Sequence, residues 1–136
     1  MNVIFLDFDG VVTTPRTSFM DLDPICMIPL QRLVNTIQAS IVISSSWRVG
    51  RQVEEFQTNL ERFGLGRSVI GMTPVTNSMS RGQEIRLWLE RHSEVTSFVI
   101  LDDAADIEPF MDRLIQTSIQ TGLTEEDVDR AIQLFQ

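Results

Sequence analysis

Three short apolar runs, each breaking off into polar residues, constrain this chain more than any other feature. They are residues 3–8 (VIFLDF), 41–43 (IVI) and 97–101 (SFVIL). None alternates apolar with polar, so each reads as a strand buried on both faces. Between and after them come helical periodicities. Leu30, Leu33, Val34 and Ile37 mark a helix over 28–39; Val53, Phe56 and Leu60 mark one over 51–62, stopped by Gly64 and Gly66. Ile85, Trp88 and Leu89 mark a third over 81–91. Val128, Ile132, Leu134 and Phe135 mark the last, and Thr124 three residues before Asp127 forms a relative of the capping box. Residues 68–70 and 113–117 read as shorter strands, the latter at an edge, and 71–80 as a loop. Strands alternating with helices predict an α/β fold, a Rossmann-like three-layer sandwich around a mostly parallel sheet. With 136 residues, the chain at 1–136 makes one domain and leaves no room for a large cap domain.

Composition removes several function classes. Cys26 and His92 are the only cysteine and histidine. An intrachain disulfide and a multi-cysteine zinc site are excluded, a Ser-His-Asp hydrolase is disfavoured, and a reducing cytoplasm is the expected setting. The start is apolar but carries Asp7 and Asp9 and no basic flank, unlike a signal peptide, and no apolar run is long enough for a membrane span. A net charge of −8 disfavours non-specific nucleic-acid binding. All 11 basic residues are arginine, so any cation the chemistry needs must be a guanidinium.

In parallel α/β sheets ligands sit beyond the carboxyl ends of the strands. Here those ends carry Asp7 and Asp9, then Ser44, Ser45 and Ser46, then Asp102 and Asp103. Carboxylates gathered without histidine or cysteine suit Mg²⁺, with phosphate completing the shell. Asp7 and Asp9, two apart at a strand end, are expected to point to one side with Phe8 facing the core. One of them can attack phosphorus while the other passes a proton. Gly10 would let the backbone approach a phosphate, the serine run would offer hydroxyls and N–H groups, and Arg81 a guanidinium. Arg48 could reach the same phosphate or pair with a surface carboxylate. Trp47 and Trp88 are expected in the core. His92, Asp21, Asp23 and the acidic residues at 125–129 are expected to face solvent.

FLDFDGVV resembles the first motif of the haloacid dehalogenase-like (HAD) superfamily, IVISSS its second and FVILDDAAD its fourth. SSSWR, RGQEIRLWL and the closing LIQTSIQTGLTEEDVDRAI are similar to the small HAD domains of Swiss Army Knife RNA repair proteins. The resemblance implies a Mg²⁺-dependent phosphatase working through an aspartyl-phosphate. It makes Asp7 the nucleophile and Asp9 the general acid and base, whose backbone carbonyl also helps hold Mg²⁺. It makes Ser45 the second-motif hydroxyl, with Ser44 and Ser46 as alternatives. It places the acidic metal ligand at Asp102 or Asp103, with Asp106 assisting. The third motif is usually Lys; Arg81 stands there, and its larger fork is less adaptable. Only the stretch from Val11 to about Ile28 could shade the site, so a large phosphorylated substrate such as an RNA or DNA end is expected, with Arg16, Arg48 and Arg51 as local contacts. The alternative is a HAD-fold binding or regulatory module with little turnover. A receiver-type domain lacks support without its lysine, and a metal-dependent nuclease would cut phosphodiesters instead.

Overall fold

The alternation of apolar runs and amphipathic segments closes into one sheet flanked by helices, in a computed structural model that describes residues 1–135. The strands are β1 (Asn2–Leu6), β2 (Ala39–Ile43), β3 (Val69–Met72), β4 (Ser97–Asp102) and β5 (Leu114–Gln116). All pair in parallel, in the order β3-β2-β1-β4-β5. The helices are α1 (Pro24–Ile37), α2 (Val53–Glu61), α3 (Arg81–Glu90) and α4 (Glu125–Leu134). Among the described residues no helix is long and apolar enough to cross a membrane.

Period-two alternation divides the strand side chains between two cores. Ile4, Leu6, Ile41, Ile43, Val99 and Leu101 pack with Leu30 and Leu33 of α1, Phe56 and Leu60 of α2, and Val128 of α4. Val3, Phe5, Val42 and Ile100 face Ile85 and Trp88 of α3 on the other side. There Phe5 meets Trp88 edge to face at 5.5 Å. Helices therefore cover both faces, which is why the middle residues of β1, β2 and β4 are apolar in succession.

Several local expectations shift. β1 ends at Leu6, two residues early, and β3 takes Gly71 and Met72 from the expected loop. α1 begins at Pro24 because Asp23 caps it, accepting the Ile25 N–H at 2.9 Å. Asp23 is thus buried rather than solvent-facing, and it also binds Thr14 Oγ and Arg16 Nε, each at 2.6 Å. Asp127 is buried too, as the reciprocal partner of Thr124 in a full capping box. His92 is half-buried, stacked on Trp88 with ring centroids 3.7 Å apart. α3 carries a capping box between Ser80 and Gln83. A Cβ on Gly82 would run into the carbonyls of Ile107 and Glu108. The first turn of α3 therefore lies directly on the segment that follows β4, and this contact fixes where Arg81 projects.

Candidate active site

Strand register assembles the site. Leu6 pairs with Ile43 on one side and Leu101 on the other. The ladder runs one step further, with Ser44 N–H donating to the Leu6 carbonyl and Asp7 N–H to that of Leu101, both at 3.0 Å. Asp7, Ser44 and Asp102 thus come side by side at the carboxyl ends of three adjacent strands. Leu6, Ile43 and Leu101 face the larger core, so the next residue on each strand turns toward α3. Arg81, the first residue of α3, meets them there. Its Nη1 lies 2.6 Å from Asp102 Oδ2 and 3.4 Å from Asp7 Oδ2. Asp103 completes the group: Asp7, Asp102 and Asp103 each offer a carboxylate oxygen, all within 4.8 Å of one another.

Asp7 and Asp102, both buried, share the guanidinium of Arg81, and Asp103 adds a third carboxylate beside them. Burial, reinforced by the charge of Asp102, pushes the Asp7 carboxyl up to about 8 against the pull of Arg81. Burial and Asp102 also raise Asp103. The cluster is short of positive charge, and its donors are all hard oxygens without histidine or cysteine. That donor set fits Mg²⁺.

Gly10 has φ +80°, and a Cβ there would stand 2.7 Å from Asp103 Oδ2. The glycine makes room for a cluster carboxylate. Its carbonyl accepts the Thr117 hydroxyl at 2.6 Å.

The other predicted residues are distributed differently from expectation. With β1 ending at Leu6, the N–H groups of Val11, Val12 and Thr13 all turn back to the Phe8 carbonyl. Phe8 enters the core as expected, but the Asp9 carboxylate lies outside the carboxylate trio. Its Oδ1 accepts Thr13 Oγ at 2.8 Å and Trp47 Nε1 at 3.0 Å. Ser45, the hydroxyl favoured from sequence, is the N-cap of a short 3₁₀ turn and accepts the Trp47 N–H at 3.1 Å. Ser44 Oγ is instead buried with no hydrogen-bond partner among the described residues. Ser46 is exposed.

Arg48 is removed from any role on phosphate. Its five N–H groups serve the carbonyls of Thr73, Ser44, Ser45 and Pro74 and, at 2.6 Å, Glu84 Oε1. Glu84 also accepts the Thr76 N–H at 2.8 Å. This buried pair ties the ends of β2 and β3 to α3. Asp106 lies outside the trio and accepts the Glu108 N–H. Arg16 is held by Asp23 and the Thr121 carbonyl. Arg51 bonds the Trp47 carbonyl at 2.6 Å and lies over the Trp47 ring.

Thr13, Trp47 and Glu84 were not singled out for the site by sequence reasoning. Trp47 had a usable signal, since it directly follows the serine run; Thr13 and Glu84 had none. A surface hollow of about 710 Å³ between α2 and the turn at 66–68 is lined by Glu54, Gln57, Arg62 and Arg67 among others and by no residue of the cluster.

A family model described as the HAD domain in Swiss Army Knife RNA repair proteins matches residues 3–128. Among curated proteins none matches the chain.

Proposed function

The chain belongs to the family of HAD domains in Swiss Army Knife RNA repair proteins, and on that premise we propose that it is a phosphatase-type hydrolase acting on phosphate monoesters through Asp7. One observation carries the reading: Asp7, Asp102 and Asp103 converge within 4.8 Å at adjacent strand ends, beneath the guanidinium of Arg81.

Asp7 sits at the end of the central strand, where an ester can approach from beyond the sheet. One carboxylate oxygen of Asp7 attacks phosphorus, and the bond from phosphorus to the leaving oxygen breaks. Asp9 gives that oxygen a proton. The resulting aspartyl-phosphate is then hydrolysed by water: Asp9 takes a proton back from the water, the water oxygen bonds to phosphorus, and Asp7 leaves as carboxylate with release of inorganic phosphate. Ser44 Oγ, buried and unpartnered beside Asp7, is the hydroxyl available to a phosphate oxygen. Arg81 offsets phosphate charge while keeping Asp102 paired. Asp7, Asp102, Asp103 and the backbone carbonyl of Asp9 would hold Mg²⁺. When bound, that ion supplies positive charge to the carboxylates and the phosphoryl oxygens.

The substrate we propose is a large phosphate ester such as an RNA or DNA end. The family description supports this, and so do the short connections around the site. The stretch from β1 to α1 holds only the three-residue turn Pro15–Thr17, and β3 joins α3 without an inserted domain.

A second reading, a phosphate-binding module with little turnover, draws on the 2.6 Å bond from Arg81 to Asp102. That bond gives the cluster an internal cation. Inorganic phosphate release separates the two readings. The panel is an aryl phosphate, nucleotides, a 3′-phosphorylated RNA oligonucleotide and a phosphopeptide, each with Mg²⁺, with EDTA, and with Asp7→Asn. Release that requires both Mg²⁺ and Asp7 supports the hydrolase; binding of the RNA end without release supports the module.

A further inference from the structure

Trp47 stands out because every part of it is held. Its N–H is capped by Ser45 Oγ and its carbonyl by Arg51 Nη1. The Arg51 guanidinium lies 5.4 Å from the ring centroid, and Phe8 packs 5.2 Å away on a tilted ring. This wedge leaves the indole N–H one direction to point, and at 3.0 Å it meets Asp9 Oδ1. Thr13 Oγ occupies the same oxygen at 2.8 Å. Two donors on Oδ1 leave Oδ2 as the oxygen without a protein partner among the described residues.

We propose that Trp47 is a positioning residue for the reaction: its indole N–H, together with Thr13, fixes the rotamer of Asp9 so that Oδ2 faces the leaving group and carries the transferred proton. The inference rests on Asp9 being the general acid and goes beyond that reading by naming what aims it. A carboxyl following the end of a strand turns freely about its side-chain torsions. A proton donor must sit within hydrogen-bond reach of the leaving oxygen. Two donors on one oxygen remove that freedom before substrate arrives, and a misplacement of about 1 Å can cost as much as ~10² in rate.

Trp47→Phe removes the N–H and keeps an aromatic ring between Phe8 and Arg51. The measurement is kcat/KM with Mg²⁺ on para-nitrophenyl phosphate, phenyl phosphate and glycerol phosphate, in the full chain, for wild type, Trp47→Phe, Asp9→Asn and the double variant. This ratio covers the steps up to departure of the leaving group, so only a defect in proton donation depends on leaving-group basicity. We expect Trp47→Phe to lose about tenfold on glycerol phosphate, a fraction of the ~10²–10⁴ attached to a whole general acid, and much less on para-nitrophenyl phosphate. In the Asp9→Asn background the same change should cost nothing further. If the smaller phenyl ring of Trp47→Phe loosens the fold, replacing the Trp47 indole with benzothienylalanine, which keeps the bicyclic shape and lacks the N–H, should give the same ester profile in a well-folded protein. A uniform loss across the three esters, or no loss, or full additivity with Asp9→Asn, overturns the proposal while leaving the role of Asp9 intact. Full activity and an unchanged ester profile in Asp9→Asn would overturn that role and the proposal together.

Discussion

Asp7→Asn should make the metal-free protein more stable while abolishing its turnover. The folded protein raises the Asp7 carboxyl from an ordinary 3.8 to about 8, chiefly by burial and then by Asp102. The native state therefore holds this proton more tightly than the unfolded chain does. The stabilisation that follows is fully present below pH ~4 and is lost as pH rises through ~8. At about 1.4 kcal/mol per pKa unit the ceiling on the loss is ~6 kcal/mol. Relaxation around the charge returns roughly half, leaving about 3 kcal/mol at pH 8. For a chain of this size that is a difference of ~10 °C in Tm. Thermal unfolding in EDTA at pH 5 and pH 8 reads about two-thirds of it, because the loss begins near pH 4. Wild type should lose Tm between the two, and Asp7→Asn, which keeps only the raised Asp103 carboxyl, should lose less and melt higher at pH 8. Equal melting of the two proteins at pH 8, or a wild-type Tm that does not change with pH, would refute the electrostatic account.

Other variants separate architecture from chemistry. Arg48→Met leaves Glu84 buried without its partner and should cost ~3–5 kcal/mol in urea unfolding; Arg48→Met with Glu84→Leu should recover much of that, and a loss below ~1 kcal/mol for the single change would contradict the buried pairing. Ser44→Ala removes a buried hydroxyl with no partner, so stability should hold or rise by ~1 kcal/mol while KM for phosphate esters increases; a stability loss beyond ~1 kcal/mol would show that the hydroxyl is bonded in solution. Gly10→Ala combines a positive φ with a collision on Asp103, so it should lose ~1–3 kcal/mol and weaken the Tm gain on adding Mg²⁺; an unchanged Mg²⁺ response would remove Asp103 from the metal site.

The fold was legible because its signals are periodic. Continuous apolar runs marked β1, β2 and β4, and 3.6-residue spacing marked all four helices. The site was legible only at strand ends, where register alone brings Asp7, Asp102 and a serine together. It became illegible wherever a side chain's partner depended on a turn. Ser45 continues the run as well as Ser44 does, yet the 3₁₀ turn after β2 claims Ser45 as a cap and leaves Ser44 in the site. Asp9 keeps its two-residue spacing from Asp7, but the chain has left the strand by then and period-two geometry no longer applies. Arg48 stood open between a phosphate contact and a surface ion pair because a sequence shows a charge and does not show the four carbonyls and one buried carboxylate that enclose it.

The central place of β1 also bears on how the protein comes to be folded. Its two neighbours are β2, from early in the chain, and β4, from late. The N–H of Asp7 finds its bond only when Leu101 is in register, most of the chain's length away. Joining them carries a large loop-closure cost, which slows folding relative to a protein of local contacts. During synthesis the first strand emerges long before the second of its partners. The carboxylates that repel one another thus cannot meet until residues 97–103 have been made and β4 has paired with β1, so their repulsion opposes that pairing and not the earlier one of β1 with β2.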